Sequence, residues 1–192
     1  INIIRAWDLI ESKDGTNGED VIVAVVDTGI DYTHEDLVDN SWINPGEVGH
    51  WEPTTPEEIE LNCQDKSCNE IDDDGNGYVD DVRGWDFHNN DNDPMDDHRH
   101  GTHCAGTIGA SGNNQLGVVG VAPKVKLMGL KFLSRSGSGA ISNALLSISY
   151  VKNMGVRIAS NSWGGGGKSN LWVDLLNTID SENDMLFIAA AG

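Results

Sequence analysis

The chain has 192 residues, 38% hydrophobic and 22% charged, with 23 glycines, a composition that supports one sizeable globular core. Its formal net charge of −19 argues against nucleic acid as a partner, because phosphate binding requires a basic surface. No apolar run is long enough to span a membrane, and no basic segment followed by an apolar one precedes the first strand. With Ile1 in place of an initiator methionine, the chain is expected to begin as a mature chain or a fragment would, without signal or pro-segment.

The first clear element is Val21-Ile22-Val23-Ala24-Val25-Val26, an apolar run that ends abruptly at Asp27 and continues Thr28-Gly29-Ile30-Asp31. A run apolar on both faces predicts a central parallel strand. Ligands and catalytic groups of open α/β sheets gather at the carboxyl ends of such strands, so Asp27 stands where chemistry is expected.

A long acidic insertion follows at about 44–98. Between positions 44 and 97 seventeen Asp and Glu face two basic residues, Lys66 and Arg83, so a net −15 of the total −19 lies here. Such a block reads either as a solvated loop or as a cation site. Asp72-Asp73-Asp74-Gly75-Asn76-Gly77-Tyr78-Val79-Asp80-Asp81 favours the second, because oxygen donors at 72, 74 and 76 precede a glycine, which is half of an EF-hand loop. Arg83 stands where the closing glutamate of that loop belongs, so Asp80 or Asp81 is expected to close a calcium site and Tyr78 to give a backbone carbonyl.

His100-Gly101-Thr102-His103-Cys104-Ala105-Gly106 predicts a helix from 100 to about 110 whose small residues permit close packing under a sheet. By itself this heptad fits an active-site histidine, a satisfied structural one, or a metal cluster of His98, His100, His103 and Cys104. A carboxylate at Asp27 favours the first, since it would hold His100 in one tautomer as a general base toward a hydroxyl. Cys104 lies one helical turn from His100, placed as a thiolate-forming sulfur.

Beyond the heptad the pattern alternates. A strand is predicted at 125–132, then a helix with Ile141, Ala144, Leu145, Ile148 and Val151 on one face, ended by Gly155. A strand at 156–161 is followed by a helix through Leu171, Leu175, Leu176 and Ile179, capped by Ser169 or Asn170, and by a strand at 185–190. The βαβαβ order predicts an α/β fold with a mostly parallel central sheet and helices on both faces.

These stretches, together with Ser160-Asn161-Ser162-Trp163-Gly164-Gly165 and Ala189-Ala190-Ala191-Gly192, resemble the subtilisin family of serine proteases, in which aspartate, histidine and serine follow in that order. The acidic insertion looks most like that of subtilases from protozoan parasites and some bacteria. The resemblance runs from about 21 to 192 and implies one partial catalytic domain over 1–192 with its nucleophile downstream in a Gly-Thr-Ser-type motif. Ser162 lacks a Gly-x-Ser-x-Gly setting, so this chain alone is expected to be inactive.

The resemblance further implies a secreted endopeptidase with a peptide or protein substrate and an inhibitory pro-segment as partners. Substrate would lie between Gly137-Ser138-Gly139 and Ser162-Trp163-Gly164, with Ala190 and Gly192 on one wall of the primary pocket. Trp163 replaces a commonly smaller apolar residue. A second calcium site is implied by Asp36, Asn114 and the carbonyls of Gly112, Leu116 and Val118. Cys104 resembles the free cysteine of proteinase-K-like subtilases, packed as a small apolar residue. Of the three cysteines, Cys63 and Cys68 are candidates for pairing in an oxidising compartment. The alternative is a non-catalytic calcium-binding domain that keeps the fold and has lost the nucleophile.

Overall fold

A computed structural model describes residues 2–12, 18–165, 170–182 and 185–191. Five strands form one parallel sheet: β1 (Ile22–Asp27), β2 (Gly84–Asp86), β3 (Lys126–Lys131), β4 (Ile158–Asn161) and β5 (Leu186–Ala189), in the spatial order β2-β3-β1-β4-β5. The apolar run predicted as a central strand is β1, paired on one side with β3 and on the other with β4. Because side chains alternate along a strand, its residues feed two cores. Ala24 and Val26 join Met128, Leu130, Ala144 and Ile148, whereas Val23 and Val25 join Leu127 and Ala105.

Among the described residues there are five α-helices: α1 (Ile3–Glu11), α2 (Pro56–Glu60), α3 (His100–Gly109), α4 (Ile141–Asn153) and α5 (Asn170–Glu182). Ala105 of α3 belongs to one core, and Ala144, Ile148 and Val151 of α4 with Ile179 of α5 to the other. Helices therefore cover both faces, as the alternating pattern predicts. Strand and helix boundaries agree with the sequence reading to within two residues for β1, β3, β4, β5, α3 and α4. Ser169 lies outside the described residues.

The acidic insertion departs most from a solvated loop. It supplies β2, whose residues are all buried, and with it the outer edge of the sheet on the β3 side. Tyr78 packs edge to face with Trp85, Phe87 and Tyr150 of α4, and Phe87 packs likewise with Tyr150. Cys63 and Cys68 form a disulfide across a short loop of the same segment.

Candidate active site

Asp27 ends β1, fully buried. Its Oδ1 accepts a 2.7 Å hydrogen bond from the Thr28 backbone N–H and lies 2.7 Å from His100 Nδ1. A carboxylate only accepts, so the proton sits on Nδ1 and Nε2 keeps its lone pair as a base. The His100 side chain is 44% exposed, whereas that of Asp27 has no exposure. This arrangement suits proton abstraction: the base faces solvent, and the group that orients it and stabilises its cation is sealed from water. Among the described residues no hydroxyl is bonded to Nε2.

The local fold that sets this pair rests on Asp96, which the sequence reading did not single out. Its Oδ1 accepts from Thr28 Oγ1, His98 N and Arg99 N, and its Oδ2 from the N–H and hydroxyl of Thr102, all at 2.6–2.9 Å. Burial opposes its charge, yet the hydrogen bonds led by those from Thr102 outweigh burial and hold its carboxyl below the usual range. Asp96 thereby ties the end of β1 to the first turn of α3. It also holds Arg99 at φ +86°, a left-handed conformation costly for a side-chain-bearing residue, which turns the chain sharply into His100.

Gly101 lets α3 approach β1. A Cβ there would stand 2.0 Å from the Gly29 carbonyl oxygen and 3.2 Å from Asp27 Cβ, and the Gly101 N–H reaches Thr28 Oγ1 at 2.9 Å. Gly101→Ala is expected to push the first turn of α3 off β1 and lower stability by about 1–3 kcal/mol, the usual cost of overpacking. Urea unfolding of the whole protein measures it, and an unchanged midpoint would show that the contact yields freely.

Cys104 Sγ lies 3.9 Å from His100 Nδ1. Burial, aided by the charges of Asp27 and Asp96, raises its pKa above the ordinary value, so the sulfur near His100 is a protonated thiol rather than a thiolate. Asp27, His100 and Cys104 place ligand atoms within 4.8 Å of one another, but His98 and His103 join no such group among the described residues. A four-residue cluster of His98, His100, His103 and Cys104 does not form there.

The described residues of the predicted substrate groove follow the carboxyl ends of β3, β4 and β5, the end of the sheet that carries Asp27. Gly137, Ser138 and Gly139 lie in an exposed loop after β3, closed by hydrogen bonds from Ser134 N to Ser138 O and from Gly137 N to Ser134 O. Ser162, Trp163 and Gly164 leave the end of β4, and Ala190 leaves β5 with its N–H on the Asn161 carbonyl. Trp163 turns inward, edge to face with Phe132 and Trp172, so its bulk anchors this segment to the core. Gly192 lies outside the described residues.

Comparison with known proteins decides the family, because residues 18–192 match the subtilase family, peptidase S8. The chain belongs to the subtilase family. It is 37% identical over 163 residues to subtilisin-like protease 1 of Plasmodium berghei, covering 85% of this chain and 24% of that protein. Thermitase of Thermoactinomyces vulgaris is 31% identical over 161 residues, 84% of this chain and 41% of thermitase. The crystal structure of a cold-adapted subtilisin-like serine proteinase superposes with a TM-score of 0.61 at 29% identity, over 92% of this chain and 48% of that one. The chain thus spans between a quarter and half the length of these relatives.

In this subtilase the acidic insertion gathers carboxylates that the sequence scatters. Glu47, Asp74 and Asp81 bring oxygens within 4.8 Å of one another. Asn44 donates its amide to Asp74 and Asp81 at 2.9 and 2.7 Å, and Asn76 donates to the same two at 3.2 and 2.9 Å. The Tyr150 hydroxyl also donates to Asp81. Burial pushes the Glu47 carboxyl up to about 7, against the pull of the Asp74 and Asp73 backbone N–H groups, and its Oε2 has no partner. Burial likewise raises Asp81 against its Tyr150, Asn76 and Asn44 bonds.

Of the predicted loop ligands, only Asp74, Asn76 and Asp81 share this cluster. Asp72 closes the turn instead, accepting from the N–H groups of Gly75, Asn76 and Gly77. Tyr78 packs among aromatic rings, and Asp80 accepts from the Glu70 N–H. Around Asp36, Asn114 donates its amide at 2.7 Å and Val118 its N–H at 2.9 Å, and these bonds, the first the larger, hold the Asp36 carboxyl below its ordinary pKa. Leu116 N–H bonds Asn114 Oδ1, whereas a Cβ on Gly112 would meet Val119 and Pro123.

Proposed function

We propose that the whole protein, of which this chain spans a part, is a serine endopeptidase. His100 is the general base, Asp27 orients it and stabilises its imidazolium, and a serine outside residues 1–192 is the nucleophile. The observation that carries this reading is the 2.7 Å contact between fully buried Asp27 and exposed His100 in a chain of the subtilase family. An extended peptide would add as a strand between 137–139 and 162–164, beside Ala190 and Gly192, and an inhibitory pro-segment would bind the same groove. The disulfide supports a secreted protein.

The deciding experiment is hydrolysis of a denatured protein by the whole protein, with and without a sulfonyl fluoride. Turnover that the reagent abolishes is the expected result. Calcium binding without turnover or acylation would instead establish the non-catalytic domain.

Calcium is the proposed structural ion. Glu47, Asp74 and Asp81 fit it, since three carboxylates converge and one buried oxygen lacks a donor. The second site, at Asp36 and Asn114 with carbonyls of Gly112, Leu116 and Val118, has one carboxylate, already satisfied by N–H donors that a cation would have to displace.

A mercurial is expected to inhibit the whole protease through Cys104, slowly because burial keeps the sulfur protonated, since mercury on a sulfur 3.9 Å from His100 Nδ1 crowds the base. Cys104→Ala should remain active and become insensitive. Equal sensitivity of that variant would move the target elsewhere.

A further inference from the structure

We propose that Lys131 is a positioning residue for the Asp27–His100 pair, an inference that rests on the protease reading above. Lys131 ends β3 in register with Asp27 and is 2% exposed, a rare placement for lysine. Its Nζ donates to Thr28 O at 2.8 Å, to Leu133 O at 3.0 Å and to Asp97 Oδ1 at 2.6 Å. An ammonium has three protons, and each has one acceptor.

Those acceptors lie on three different segments. Thr28 directly follows Asp27, and Leu133 opens the exit from β3 toward the loop at 137–139. Asp97 stands three residues before His100. Phe132 and Leu133 also donate their N–H groups to the Asp27 backbone carbonyl, so Lys131 completes a junction already formed around the backbone of the residue that carries the carboxylate. A single buried cation thus fixes the strand that carries the orienting acid against the loop that delivers the base. A shift of about 1 Å at a reacting group costs on the order of a hundredfold in rate, so a residue that touches no substrate can still govern turnover through this junction.

The test uses the whole protease and Lys131→Met, which keeps length and removes all three donors. The variant leaves behind a 48% exposed carboxylate that water can serve. Expected is a fall in kcat of about a hundredfold per active site titrated with an acylating reagent, with KM within about threefold. In an Asp27→Ala background the same substitution should change kcat less than about threefold, because the orientation it protects is already gone. Equal losses in both backgrounds, or an unchanged kcat, would overturn the proposal. Should Lys131→Met not fold, Asp97→Ala and Asp97→Asn carry the test. Alanine should lower kcat about tenfold, and asparagine, which keeps the acceptor oxygen, should restore most of it; equal activity of the two would overturn the proposal. An inactive wild-type protein, or one whose His100→Ala variant keeps full turnover, would refute the protease reading instead.

Discussion

His100→Ala in the whole protein is expected to lower kcat/KM for peptide hydrolysis by about 10⁴–10⁶-fold, the range seen when the base is removed from Asp-His-Ser proteases, subtilisin among them. The reason is local. Nε2 is the one described base positioned at the cleft with a buried carboxylate behind it, 2.7 Å from Nδ1. Asp27→Asn should cost about 10⁴-fold, because an amide can donate where a carboxylate only accepts and so stabilises the wrong tautomer. Both variants should unfold near the wild-type temperature. The His100 side chain is partly exposed, and asparagine has the shape of the aspartate that accepts the Thr28 N–H. Near-normal turnover by His100→Ala at full folding would remove His100 from the chemistry.

Calcium chelation is expected to produce the largest change in stability. At a hundredfold over its dissociation constant each ion contributes about 2.7 kcal/mol, or a melting temperature on the order of 5–10 °C higher. The cluster at Glu47, Asp74 and Asp81 makes a sharper forecast, one that changes sign. With calcium, Glu47→Gln or Asp74→Ala should lower the melting temperature. In chelator, Glu47→Gln should raise it, since the substitution removes a buried carboxyl whose Oε2 has no donor.

The pH dependence follows from the same group. Its folded pKa is raised from 4.5 to about 7, so the folded state binds more protons than the unfolded state between those values. Stability of the chelated protein should therefore fall as pH rises from about 4.5 to about 7, and loss of that slope in Glu47→Gln would trace it to this carboxyl. Calorimetry in calcium and in chelator, at pH 5 and pH 7, reads all of these. A melting temperature indifferent to chelator would rule out both proposed sites.

Much of this was legible in the sequence where a signal is local. The apolar run into Asp27 marks a strand buried on both faces, and the small residues after His100 mark a close-packed helix; both elements stand where those patterns place them. What escaped was tertiary. β2 is three residues, Gly84, Trp85 and Asp86, too short for periodicity, and it belongs to the sheet because Gly84 can sit against the Gly129 carbonyl. α1 buries no residue, although Ile3, Trp7 and Ile10 have the spacing of one helical face, and its Trp7 donates to the Val121 carbonyl. Glu47 stands 25 positions before Asp72, and nothing in Asn44-Pro45-Gly46-Glu47 announces a partner there. Asp96 reads as one more acid in an acidic stretch. Only Lys131 carried a readable clue, a lysine closing an apolar strand, where burial requires acceptors for every proton.

The most direct measurement locates the acylated serine. The whole protein, treated with one equivalent of a fluorophosphonate and digested, should give a single labelled serine lying outside residues 1–192, and His100→Ala should take up no label in the same time. Label on Ser162 or on any other serine of this chain, or labelling that survives His100→Ala unchanged, would contradict an Asp27–His100 pair that serves a serine supplied by the rest of the protein.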